Sequence, residues 1–73
     1  MSLQILPKDL VKSLMKLGFL KTRQKGSHLR LSHPDGRRIT IALHLKSLPE
    51  GTLLAILRQA KISKKDLERI IKK

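Results

Sequence analysis

The chain has 73 residues and no cysteine, and 17 Lys and Arg stand against five Asp and Glu for a formal net charge of +12. That length gives one domain, residues 1–73, with a small core and no room for a separate cofactor-binding domain. The composition excludes a disulfide framework and a thiolate metal site, the short apolar runs exclude a membrane span, and the excess of cations points to a nucleic acid or an acidic protein as partner.

Met1-Ser2-Leu3-Gln4 has no signal-peptide pattern, so a cytoplasmic protein is expected. Pro7 to Leu17 reads as a helix. Proline suits the first turn, where an N–H would have no intrahelical partner. Leu10, Val11, Leu14, Met15 and Leu17 recur at helical spacing and form an apolar face. Lys8, Lys12 and Lys16 recur every four residues on another side, a pattern that suits a solvated face or a phosphate contact. Gly18 supplies the left-handed residue that ends many helices.

Phe19 to Gln24 reads as a strand, Lys25-Gly26 as a turn, and Ser27 to Ser32 as a second strand. Along the second strand Leu29 and Leu31 point one way, and His28, Arg30 and Ser32 the other. Pro34-Asp35-Gly36 has the residue types of a tight turn. Arg38 to Leu43 is the third strand, with Ile39, Ile41 and Leu43 on one face and Arg38, Thr40 and Ala42 on the other. Two successive hairpins make an antiparallel meander.

Ser47 and Glu50 have the spacing of a capping box ahead of a helix that runs to about Ala60, with Leu53, Leu54, Ile56, Leu57 and Ala60 able to cover a sheet. Ser63 and Asp66 repeat the capping pattern before a short last helix toward Lys73, where Leu67, Ile70 and Ile71 are apolar and Lys72-Lys73 fray. The fold class is therefore α+β, in the order α-β-β-β-α with a short extra C-terminal helix. A three-stranded antiparallel sheet takes the helices on its leucine and isoleucine face. The other face carries His28, Arg30, Arg38 and Thr40 to solvent.

An exposed histidine among cations suits chemistry on a polyanion. Cleaving RNA through its 2′-hydroxyl needs a base for the hydroxyl proton, positive charge at the phosphate and an acid for the leaving oxygen. Histidine is the usual base, because its unperturbed pKa is near 6.5. Lys25, Arg30 and Arg38 are placed to hold the phosphate. A lone histidine on an exposed strand can equally be an inert surface residue. His33 is expected to stabilise the turn through a backbone contact. His44 ends the third strand in a register to His28 that alternation leaves open, with an assisting acid as one possible role. No metal site or cofactor is expected, since the histidines are scattered and acids are few. Phe19 is the only aromatic of the Phe, Tyr and Trp class, which argues against a module that reads single strands by stacking bases.

The ordered set Lys25-Gly26-Ser27-His28, His33-Pro34-Asp35-Gly36-Arg37, His44, Gly51-Thr52-Leu53 and Ile56-Leu57-Arg58-Gln59-Ala60 resembles the HicA family of bacterial and archaeal toxins. Leu17-Gly18-Phe19 and Ile62-Ser63 fit as well, so the resemblance runs from about Leu10 to Ser63. It implies a fold similar to the double-stranded RNA-binding domain. It also implies a ribosome-independent mRNA endoribonuclease that arrests translation, with its catalytic histidine at His28. The RNA contacts expected with it are Lys25, Gly26, Ser27, Arg30, Arg37 and Arg38. The implied protein partner is a HicB-type antitoxin, and the positive charge favours an acidic one. Two positions depart from the family pattern. Leu45-Lys46-Ser47 stands where a proline or serine and a glycine commonly precede a lysine, and Lys61 stands where glycine is usual. The alternative reading is a non-catalytic RNA-binding module of the same fold. A third is an adaptor for an acidic protein.

Overall fold

The computed structural model of the protein describes residues 5–44 and 46–71. Helix α1 (Pro7–Lys16) leads into strands β1 (Leu20–Lys25), β2 (His28–Ser32) and β3 (Arg38–Ala42), followed by helices α2 (Glu50–Ala60) and α3 (Lys64–Ile71). The strands form one antiparallel sheet in the order β1-β2-β3. This is the expected α+β arrangement, with element ends moved by about a residue. The expected fraying of Lys72-Lys73 lies outside the described residues.

Period-2 alternation builds the core. Leu29, Leu31, Ile39 and Ile41 are buried, while His28, Arg30, Arg38 and Thr40 between them are exposed. The buried face meets Leu10, Val11 and Leu14 of α1, Leu53, Ile56, Leu57 and Ala60 of α2, and Leu67 of α3, in one cluster that also holds Phe19. Two expected members of the apolar faces are excluded. Met15 is 42% exposed and Leu54 40% exposed. Each follows a buried leucine by one residue, and so turns about 100° away from the stripe that meets the sheet.

Helix α1 ends in a Schellman motif: the Phe19 and Gly18 N–H groups donate to the Leu14 and Met15 carbonyls, with Gly18 at φ 103°. Phe19 thereby drops into the core just before β1. The end of α2 repeats the motif with Ile62 and Lys61 donating to Leu57 and Arg58. Here the left-handed position is held by Lys61, at φ 58°. The departure from glycine thus leaves the helix end unchanged in form and adds backbone strain.

The two expected capping boxes have different outcomes. Ser63 Oγ accepts the Asp66 N–H at 3.0 Å, and an Asp66 carboxylate oxygen accepts the Ser63 N–H at 3.3 Å. The Ser47–Glu50 box does not form. Pro49 is the N-cap of α2, no side chain caps it, and Glu50 accepts a hydrogen bond from Lys64 Nζ instead. Pro49 disfavours helical backbone at Leu48, the residue before it, where a box capped by Ser47 needs its first helical residue, so the helix starts behind the proline.

The β2–β3 turn is tied to the helices. His33 Nδ1 lies 3.1 Å from the Asp35 backbone nitrogen and 3.0 Å from an Asp35 carboxylate oxygen, and Nε2 lies 3.2 Å from the Leu17 carbonyl oxygen. The His33 ring also meets Phe19 edge-on, at 5.1 Å between centroids. His33 therefore has the backbone-stabilising position expected of it.

Candidate functional site

The sheet's open face is set by pairing. Residues opposite each other in an antiparallel ladder share a face. Lys25, His28 and Ala42 make one row, Arg23, Arg30 and Thr40 the next, and Leu20, Ser32 and Arg38 the third. Arg23, Lys25, His28, Arg30 and Thr40 line a shallow depression. His28 thus stands exposed at the end of the central strand, with three cations around it.

Arg23 joins this group because of a bulge. The β1–β2 register slips between Lys21 and Arg23, leaving Thr22 as the extra residue. Thr22 Oγ1 bonds the Arg30 carbonyl and lies 3.3 Å from Ser32 Oγ. Without the bulge, alternation from Lys21 would send Arg23 and Lys25 to the core face and Gln24 outward. Nothing in the residue pattern of β1 marks the bulge, so alternation alone does not select Arg23.

Gly26 and Ser27 form the two-residue loop between β1 and β2. Gly26 has φ 59° at the first loop position, which is the requirement of a type II′ hairpin turn. Ser27 Oγ lies 3.2 Å from His44 Nδ1, and the Ser27 carbonyl accepts the Leu43 N–H at 2.6 Å. The His28 and His44 rings are 6.2 Å apart between centroids. The step of two from Thr40 through Ala42 was the available signal for His44. It carries the open-face parity two residues past the strand end.

Arg37, expected among the RNA contacts, is directed elsewhere. Its Nε donates to Asp35 at 2.8 Å, its terminal nitrogen donates to the Ala60 carbonyl, and its guanidinium lies 5.0 Å from the Phe19 ring centroid. Only 19% of the side chain is exposed. The hydrogen bond from Arg37 holds the exposed Asp35 carboxyl below its ordinary pKa. Arg37 therefore binds the turn to the end of α2, away from the group around His28. Arg38 is exposed on the open face, in the third row from His28.

The arrangement joins a proton-transfer group to cations that can hold phosphate oxygens, on a surface open to a large ligand. No helix among the described residues is long and apolar enough to cross a membrane. No curated protein matches the chain. The family model for the HicA toxin of bacterial toxin–antitoxin systems matches residues 7–62, from the start of α1 to just past the end of α2. That span contains every residue of the open face described above, and the chain belongs to the HicA toxin family.

Proposed function

We propose that this toxin is a ribosome-independent endoribonuclease that cuts messenger RNA in the cytoplasm and so arrests translation. The observation that carries this reading is His28, exposed on the open face among Lys25, Arg23 and Arg30. RNA docks through its phosphates on these three cations, on Arg38 and on the Gly26-Ser27 loop. His28 takes the 2′-hydroxyl proton, the oxygen attacks the adjacent phosphorus, and the cations stabilise the charge that develops there. A HicB-type antitoxin of acidic character holds the toxin inactive by covering the same face.

The test is incubation of purified protein with a defined messenger RNA in EDTA, beside His28→Ala. Cleavage by the wild type alone, with RNA binding retained in the variant, is the expected result. Equal cleavage by both removes His28 from the mechanism. Binding without cleavage by either points to the non-catalytic module.

A further inference from the structure

Cleavage through the 2′-hydroxyl leaves one proton unassigned: the departing 5′-oxygen must receive one. We propose that His44 is the general acid of the reaction and that Ser27 is its positioning residue. This rests on the ribonuclease reading of His28.

Three observations converge on His44. Its ring is 6.2 Å from the His28 ring, centroid to centroid, in an edge-on arrangement with the planes at 66°. The attacking and leaving oxygens of an in-line displacement stand on opposite sides of the phosphorus. The base and the acid must therefore be separate groups with a phosphate between them, and the two rings are neighbours that make no hydrogen bond to each other. Second, one nitrogen is already engaged. Ser27 Oγ lies 3.2 Å from Nδ1, which leaves Nε2 for a substrate. In the protonated ring Nδ1–H donates to Ser27 Oγ, and Nε2–H is the proton to deliver. Third, the backbone fixes the position. The Leu43 N–H bond to the Ser27 carbonyl extends the pairing one residue past β3 and sets His44 beside the loop that leads into His28.

The step balances. His28 removes the 2′-hydroxyl proton, and the 2′-oxygen bonds to phosphorus. The bond from phosphorus to the 5′-oxygen breaks, and that oxygen takes the proton from His44 Nε2. The products are a 2′,3′-cyclic phosphate and a 5′-hydroxyl. His28 ends protonated and His44 neutral, and Lys25, Arg23 and Arg30 neutralise the phosphorus-bound oxygens in between.

The test compares two oligonucleotides, one natural and one with sulfur in place of the 5′-oxygen at the linkage the wild type cuts. A thiolate leaves without a proton, so an acid is dispensable on the second. His44→Ala and His44→Gln are expected to slow the natural substrate by roughly 100-fold or more and to cut the sulfur substrate near the wild-type rate. Ser27→Ala is expected to show a smaller loss on the natural substrate, which the sulfur substrate recovers in part. His28→Ala is expected to be inactive on both, since the base is needed in each. A natural-substrate rate left unchanged in His44→Ala, or an equal loss on both substrates, overturns the assignment. Wild-type protein that cuts neither substrate overturns the ribonuclease reading itself, and this inference with it.

Discussion

The His33 ring lies directly against Gly18, so that a Cβ on Gly18 would sit 2.8 Å from Nε2. Gly18 is thus required twice, for its φ of 103° and for the space that His33 occupies. Gly26 also has positive φ, but nothing lies within 4 Å of its Cβ position. Gly18→Ala is expected to cost about 2 kcal/mol or more, combining backbone strain and steric conflict. Gly26→Ala should cost about 1–2 kcal/mol, for strain alone. Urea unfolding of the two variants checks the order; equal losses would mean that the His33 ring moves aside freely.

His33 and His28 separate stability from activity. His33→Ala loses the bonds to Asp35 and Leu17 and the contact with Phe19, and is expected to destabilise the fold by about 1–3 kcal/mol. At a temperature where the variant is still folded, its RNA cleavage should match the wild type. His28→Ala should keep the wild-type urea midpoint, because its side chain is exposed.

Arg23 lies beside His28 on the open face, whereas Arg37 binds the β2–β3 turn to the end of α2. Arg23→Ala is expected to weaken RNA binding and to reduce the slope of log affinity against log salt by about 0.7, the value for one phosphate contact on a single strand. Arg37→Ala should leave that slope unchanged and lower stability by about 2 kcal/mol, since it loses charge-assisted hydrogen bonds. Salt titrations of binding, with a parallel unfolding curve, read both effects.

Lys61 takes φ 58° where glycine would be unstrained. Lys61→Gly is expected to stabilise the protein by about 1 kcal/mol through relief of that strain. A raised thermal midpoint with unchanged RNA cleavage checks it.

Acid should loosen the β2–β3 turn. The hydrogen bond from Arg37 lowers the Asp35 pKa below its ordinary value of 3.8. The carboxylate's contribution to stability is therefore complete above that value and fades as pH falls through the lowered one. Asp66 behaves alike, its pKa lowered first by its hydrogen bonding with Ser63. Asp35→Asn should lose stability at neutral pH and lose less than the wild type on acidification. Unfolding midpoints measured at neutral pH and below the ordinary carboxylate value test the sign.

The sequence by itself determined the order of elements and the two faces of β2 and β3. Strand alternation acts on each residue locally, so Leu29, Leu31, Ile39 and Ile41 had to share the side opposite His28, Arg30 and Thr40. The Ser63–Asp66 cap was legible for the same reason, because its partners are three residues apart. Tertiary structure decided what depends on pairing between distant segments. The bulge at Thr22 arises where β1 meets β2, and it turns Arg23 and Lys25 to the open face. The Phe19 ring and the Ala60 carbonyl draw Arg37 away from that face, although Arg37 is adjacent in sequence to the exposed Arg38. Ser27 and His44 are 17 residues apart, and only the closing of both hairpins brings them together beside His28.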